Sequence, residues 1–361
     1  MKILDRYIIR NFLGTFVFIM VVIMSIAVVF DVSEKIDDFL RNNAPLNEIL
    51  FTYYVNFVIF YGNLFSALLI FITVIFFTTK LANRTEFIAI LSSGVSFKRI
   101  MVPYFFSATL LVAISLLLNH FLIPEANKKR LSFEMKYFSY GWTPDRSNIH
   151  REISPGTIAY FQLYSPASLS GYKFALEQWT PEGQLNYKLV AERAAFDTTN
   201  GRWRVHNYYE RFFLPEGRGE EIHTGSKKDT LLDLDPEDLR FKIDLVAALN
   251  FREMREHIAQ EKSRGSDTVT YYEIELYQRT SYPFATYVLT LIAVAIASRK
   301  VRGGLGVNLV FGFLIVFIYI FSMRMTTVAA TNAGLDPILA VWIPNLIFGI
   351  IGVFLYRRAP K

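Results

Sequence analysis

The chain has 361 residues, 52% of them hydrophobic, with a mean hydropathy of +0.29 and a formal net charge of +6. That apolar share is high for a soluble protein. Cysteine is absent, which excludes disulfides, zinc–thiolate sites and thiol nucleophiles, so any part outside the cytoplasm must rest on a buried core.

Six apolar stretches reach the roughly 20 residues that cross a bilayer core. They run over Asn11–Phe30, Tyr54–Thr79, Met101–Ile123, Tyr282–Ser298, Gly306–Thr327 and Pro337–Tyr356. The first is too long for the apolar core of a signal peptide. Asp31-Val32-Ser33-Glu34 follows it in place of a small-x-small cleavage site, so it is expected to be a retained helix. With the N-terminus in the cytoplasm, thirteen Lys and Arg residues flank the spans on the inside. They are Lys2, Arg6, Arg10, Lys80, Arg84, Lys98, Arg99, Arg299, Lys300, Arg302, Arg357, Arg358 and Lys361. Only Lys35 and Arg41 lie in the short outer loops. This asymmetry places both termini in the cytoplasm and explains the basic balance by an anionic membrane surface, with no need of nucleic acid.

Between spans two and three, Asn83-Arg-Thr-Glu86-Phe-Ile-Ala-Ile-Leu-Ser-Ser-Gly94 reads as a short helix. Asn83 is expected as its N-cap, Glu86 as the N3 partner of a capping box and Gly94 as its stop. Phe87, Ile90 and Leu91 share one face and Ile88 lies off it. Two readings stay open: an amphipathic helix lying in the headgroup region, or a coupling helix that docks into a cytosolic partner through Glu86.

From about Ser147 to Asp244 the pattern turns to β-rich runs divided by turn residues. Strands are expected over Thr157–Tyr164, Tyr172–Trp179, Leu185–Phe196 and Trp203–Leu214. Reversals are expected at Pro181-Glu182-Gly183, Thr199-Asn200-Gly201 and Pro215-Glu216-Gly217. This is the signature of an antiparallel sandwich or roll, whose edges either pair with another chain or are covered. A helical return leg follows over Phe251–Lys262, and Thr270-x-x-Glu273 is expected to cap the helix into span four.

Arg324 is the one ionised residue well inside a span. It is a candidate for holding a phosphorylated lipid headgroup, against snorkelling or pairing with Asp31 or Asp336. Lys35 is a second candidate, against a salt-bridge cluster with its acidic neighbours. Asn56, Asn63, Asn308 and Asn345 are expected to bond between helices, and Pro283 and Pro344 to leave carbonyls that need partners. No Walker motif, H-E-x-x-H or G-x-S-x-G occurs, and the five histidines lack ligand spacing. No catalytic residue, metal site or cofactor of the chain's own is expected.

The residues match a known family. Leu4-Asp-Arg-Tyr-Ile8, Asn83-Arg-Thr-Glu-Phe87, Ser93-Gly-Val-Ser96, Ala191-Glu-Arg-Ala-Ala-Phe196 with Trp203, Leu234-Asp-Pro-Glu-Asp-Leu239, Pro283-Phe-Ala285, Arg302-Gly-Gly304 and Leu339-Ala-Val-Trp-Ile-Pro-Asn-Leu346 follow in order. With this set the chain resembles the lipopolysaccharide export permeases LptF and LptG, and its two ends look more like LptG. The resemblance implies an inner-membrane α-helical fold of 3+3 spans with an inserted periplasmic antiparallel β domain, jellyroll-like. Its divisions would be 1–123, 124–280 and 281–361.

The resemblance also implies a transport subunit rather than an enzyme. Its partners would be an LptB-like ATPase dimer that binds the ATP, a paralogous LptF-like or LptG-like permease, an LptC-like bridge protein and lipopolysaccharide itself. Glu86 takes the position of the coupling-helix acid, with Phe87, Ile90, Leu91 and Gly94 around it. By the same resemblance, the first and fifth helices would form lateral gates. Family members often carry basic residues near the outer end of the first helix, where this chain is net acidic. Two rival functions stand beside this reading: a scaffold that recruits periplasmic proteins through its β domain, and an extruder of another lipid or a lipoprotein.

Overall fold

The computed structural model describes residues 3–138, 146–214, 219–230, 232–239, 246–263, 265–266, 268–298 and 304–359. Pro215-Glu216-Gly217, Asp244, and the flanking Lys2, Arg299, Lys300, Arg302 and Lys361 lie outside them.

Apolar length builds the helices. α1 runs over Ile3–Arg41, 39 residues, or about 58 Å of helix, nearly twice a hydrocarbon core. Span two is in pieces: a π-helical segment Glu48–Tyr54, then α2 (Val55–Leu64) and α3 (Ser66–Asn83), with Phe65 at φ −90°, ψ 0° between the last two. α4 (Glu86–Ser92) follows, then α5 (Phe97–Leu117), a second π segment (Leu118–Leu122) and α6 (Ile123–Tyr137). The helical path does not stop at Pro124, as the sequence suggests. The wide π turn meets the ring where a regular helix would clash with the carbonyl of His120. After the β region come α7 (Phe251–Ser263), α8 (Val269–Ala297), α9 (Gly304–Ala333) and α10 (Pro337–Arg357). Among the described residues, six helical stretches are long and apolar enough to cross a membrane.

The chain divides into two units. The membrane unit comprises Met1–Phe138, Asp244–Met254 and Thr270–Lys361; the β unit comprises Ser139–Ile243 and Arg255–Val269. The first boundary between the two units follows Phe138. α6 is polar on average, yet Ile123, Ala126, Leu131, Phe133 and Tyr137 are buried. Phe133 and Tyr137 join an aromatic cluster with Phe39, Tyr53, Tyr54 and Phe57. Likewise residues 270–280 belong with the membrane unit, because α8 is one continuous helix. It starts at Val269, so Thr270 lies inside it and does not cap it. The cap the sequence does hold is Asn250-x-x-Glu253: Asn250 Oδ1 accepts from the Arg252 and Glu253 amides, and Glu253 Oε2 accepts from the Asn250 amide.

Within the membrane unit the span asparagines act as expected, with one exception. Asn63 joins Ser115 and Asn119 at 2.8 Å each. Asn308 donates to Thr79 Oγ1 at 3.1 Å. Asn345 accepts from the Tyr319 hydroxyl and donates to the Ser281 carbonyl. Pro283 frees the carbonyl of Arg279, and Asn119 Nδ2 reaches it at 3.3 Å. Asn56 bonds back to the Thr52 carbonyl and, among the described residues, links no second helix.

The β unit is one six-stranded antiparallel sheet paired in chain order. Its strands are β1 (Arg146–Ser154), β2 (Thr157–Ser165), β3 (Ser170–Trp179), β4 (Leu185–Asp197), β5 (Arg202–Phe213) and β6 (Glu220–Thr230). The four expected strands correspond to β2–β5. The polar edge strands β1 and β6 carry too few apolar residues to be read from sequence. Gly183 and Gly201 take left-handed φ at the two described reversals.

A crease crosses the whole sheet. Asn148, Lys173 and Asn207 sit inside alternate strands at φ 56°, 49° and 49°. The registers align them with Gln162, Glu192 and Ser226 in one row that forms no ladder pair. At this row the inward–outward alternation slips by one. Phe161 and Tyr164 are both buried with Gln162 and Leu163 exposed between them, and Gly171–Phe174 and Ala191–Ala194 repeat the pattern. Both sides of the crease thus feed one core of Ile149, Phe161, Phe174, Leu189, Trp203 and Val205. This creased sheet is the form that the jellyroll-like expectation takes. Leu234 and Leu239 join the core, while the Trp203 indole donates to the Leu234 carbonyl at 2.9 Å. Gly171 is required by a close approach, since a Cβ there would stand 2.0 Å from the Phe161 ring. The β-unit motifs quoted above therefore meet in one cluster.

Candidate functional site

Two places in the membrane unit gather the residues singled out in the sequence. The first is α4. It opens on Thr85 at φ 61°, with no side-chain cap. Asn83 ends α3, and Glu86 is the first residue of α4, so the expected capping box does not form. A left-handed residue at the junction turns the chain sharply enough that Asn83 cannot reach the new helix. At the other end Gly94 stands at φ 85° and its amide reaches the Leu91 carbonyl at 3.0 Å.

The Phe87 face turns into the chain. Phe87 is fully buried, its ring 6.0 Å from Phe97, which in turn lies 5.5 Å from Tyr356. Ile90 and Leu91 are half-buried against the same core. Ile88, off that face, is 48% exposed, and with Ala89 and Ser92 it forms the outward side of the helix. Glu86 lies at the boundary. The Tyr7 hydroxyl donates to Glu86 Oε2 at 2.9 Å, and Arg84 stands 3.8 Å from Oε1. Alongside, Arg99 bonds Asp5 at 2.7 Å, and Ser96 caps α5. Residues near 5, 86 and 99 thus form one cluster. Sequence reasoning found its acid but missed Tyr7 and Asp5; both stand in the quoted Leu4–Ile8 motif, the only signal that points to them.

The second place is a cavity of about 150 Å³ lined by Asn63, Asn119, Glu275, Arg279, Tyr282 and Arg324, among others. Arg279 is buried and donates to the Leu249 and Val246 carbonyls at 2.7 and 3.3 Å, with Glu275 at 3.5 Å. It holds the backbone and is not open to a ligand. Arg324 is exposed and, among the described residues, has no acid within ion-pair distance, neither Asp31 nor Asp336. Asp336 instead caps α10 through the Ile338 and Leu339 amides.

Lys35 lies elsewhere, and its ammonium is occupied. It pairs with Asp31 at 2.9 Å, donates to the Tyr53 hydroxyl at 2.5 Å and lies over the Tyr53 and Phe138 rings. Tyr53 and Tyr54 both donate to Asp31. Lys35 and Arg324 are not brought together in one site. Groups of three or more His, Asp or Glu residues able to hold a metal ion do not occur among the described residues.

In the β unit the buried charges are paired. Arg151 and Glu261 form two bonds at 2.7 and 3.0 Å, and Glu210 accepts from Tyr187 and Lys228. Burial pushes the Glu261 carboxyl up, but hydrogen bonding from Ser266 and the Arg151 charge more than reverse this and hold it below the usual value. Glu210 is depressed likewise: Lys228 and Tyr187 outweigh its burial.

Six apolar helices, with an antiparallel sheet inserted in the chain between the third and the fourth, define a multi-pass membrane protein of 3+3 layout. The profile of the family described as "Lipopolysaccharide export system permease LptF/LptG" matches residues 6–358. The chain belongs to that family, and so is an inner-membrane permease component of lipopolysaccharide export, a transport subunit rather than an enzyme. The family takes in LptF and LptG together, and the match does not choose between them. A search among curated proteins finds no significant match.

Proposed function

We propose that this chain is the membrane half of an ATP-driven exporter that lifts lipopolysaccharide from the outer leaflet of the inner membrane and passes it to a periplasmic bridge. Family membership over residues 6–358 carries the reading. The anchored helix α4, with its carboxylate at the edge of an outward face, supports it. Extraction is strongly uphill, since each buried acyl methylene contributes roughly 0.8 kcal/mol. The chain has no phosphate-binding loop, so ATP is bound and hydrolysed by an LptB-like dimer. A paralogous LptF-like or LptG-like permease completes the membrane part, and an LptC-like protein receives the lipid.

In this reading both termini face the cytoplasm and the β unit faces the periplasm, as the distribution of basic residues favours. Phe87, Ile90 and Leu91 anchor α4 to the spans, Gly94 ends it, and Glu86 meets a cation of the ATPase. Arg324 is the cation for lipid phosphate, because it is exposed at the edge of a largely apolar cavity and has no acid partner among the described residues. Lys35 takes part only by exchanging Asp31 for phosphate.

Mass spectrometry of what co-purifies with the tagged chain in mild detergent tests this. A Walker-motif ATPase, a second six-span permease and lipopolysaccharide are expected, and Glu86→Arg should lose the ATPase. Another lipid or a lipoprotein in the preparation would redirect the substrate. A folded, monodisperse chain without any ATPase would leave the scaffold reading in its place.

A further inference from the structure

Helix α1 is held at its two ends. Its buried side chains are Asp5, Ile8, Phe12 and Phe16, followed only by Met24 and Phe39. The first four recur every three or four residues and so form one ridge. Phe12 meets Tyr104 at 6.0 Å, and the Tyr104 hydroxyl pairs with Thr78 at 2.9 Å. Beyond this ridge the helix turns apolar side chains outward, Val21 and Phe30 being 58% and 72% exposed. The gripped third is the N-terminal handle of α1, and the far end, where Asp31, Lys35 and Phe39 meet Tyr53, Tyr54 and Phe138, is the point about which it can pivot.

The coupling segment is tied to that same third on both of its flanks. On the N-terminal side, Glu86 accepts from Tyr7. On the C-terminal side, Arg99 in the first turn of α5 bonds Asp5, two residues from Tyr7. Neither bond is needed to start a helix. α4 begins on a left-handed Thr85 without a side-chain cap, and α5 has Ser96 as its own cap. Both bonds act between elements separated by 79 and 94 residues. The Glu86 carboxylate also keeps a second oxygen, Oε1, which Arg84 approaches only to 3.8 Å. A partner's cation can take Oε1 while Tyr7 keeps Oε2.

We propose that Tyr7 and Asp5 are positioning residues that carry the movement of α4 into α1, an inference that rests on the docking of α4 to an ATPase. Any displacement of α4 shifts the Glu86 carboxylate and the start of α5 together. Both are tied to the N-terminal end of α1, so the helix moves as a lever. Tyr7 is 41% exposed, so Tyr7→Phe keeps the ring and removes only the hydroxyl.

The test uses the complex purified with its own ATPase and reconstituted with lipopolysaccharide, comparing the wild type with Tyr7→Phe and Asp5→Asn. The ATPase should stay bound and keep hydrolysing, while ATP consumed per lipid extracted rises about two- to tenfold, the span of one hydrogen bond's net contribution. Tyr7→Trp restores an N–H donor of similar size and should recover part of the ratio. An unchanged ratio in both single variants overturns the inference. So does loss of the ATPase from Tyr7→Phe, which would mean that Tyr7 only presents Glu86 to the partner. A wild-type preparation with no ATPase at all would instead overturn the reading on which the inference rests.

Discussion

The membrane unit and the β unit use apolar side chains in opposite ways. In the β unit the core side chains point inward, Trp203, Phe161 and Phe174 being fully buried, although Trp179, Phe212 and Ile222 stay 39%, 40% and 57% exposed. In the membrane unit burial varies from helix to helix. The apolar windows of α3 and α8 are 67% and 61% buried, whereas those of α1 and α9 are 17% and 28%. Water forces the β unit to enclose its own core. Lipid imposes no such demand, so an outward apolar face costs nothing there and packing marks only the contacts that hold the unit together. Burial therefore separates a structural pair, α3 and α8, from three helices, α1, α9 and the 33% buried α10, whose faces are left for lipid or for another chain. The resemblance assigns gating to the first and fifth spans, which are two of these three, α1 and α9.

The sharpest way to break this comparison is a pair of truncations. Trp203→Ala should destabilise the β unit by about 3–5 kcal/mol, while Phe18→Ala on the outward side of α1, 67% exposed, should stay within about 0.5 kcal/mol. Pulse proteolysis of the full chain in mild detergent measures both, and similar losses would sink the distinction.

Next in size is the buried ion pair. Glu261→Ala strands Arg151 and should cost about 3 kcal/mol, read in the same way. Because Glu261 and Glu210 are held below their usual values, the stability they contribute is full above the unfolded carboxyl range, about pH 4.3. It is lost as pH falls through the lower folded values. Acid titration of the wild type should show this loss, and Glu261→Gln should reduce the slope.

Within the membrane unit, Asn345→Ala breaks the link among α8, α9 and α10 and should cost about 0.6 kcal/mol, the average for such bonds in lipid. A loss of several kcal/mol would show that this unit also depends on a buried polar core. The smallest effect is expected at the crease. Lys173 holds left-handed backbone that costs a non-glycine residue about 1–2 kcal/mol. Lys173→Asn, better suited to that region, should raise stability by about 0.5 kcal/mol.

Much of this was legible in the residues, and the parts that were not share physical causes. Spans and central strands announce themselves by apolar length and alternation. β1 and β6 do not, because an edge strand with one apolar residue, as Ile222 is in Glu220–Thr230, has no alternation to read. The crease is invisible for a related reason: Asn148 and Asn207 suit left-handed φ, but a lone Asn in a polar stretch marks no crease, and Lys173 gives no signal at all. α6 was lost to its polar average, and the Pro124 stop was overridden by a π turn that no local residue advertises. At α4 the sequence located the helix, its acid and its glycine stop. The inward direction of Phe87 and the contacts of Glu86 with Tyr7 depend on side chains 79 residues away and have no local trace. Lys35 stands among acids in the sequence and Arg324 does not, and the structure accordingly cages the first with Asp31 and leaves the second open.

The most direct test of the account is ATP-dependent release of lipopolysaccharide from proteoliposomes holding this chain with its co-purified subunits, collected on a soluble periplasmic acceptor. The account predicts release that requires ATP, is abolished by Glu86→Arg and is weakened by Arg324→Gln without loss of the assembled complex. Release that proceeds without ATP, or that is untouched by Glu86→Arg in a fully assembled complex, would contradict it.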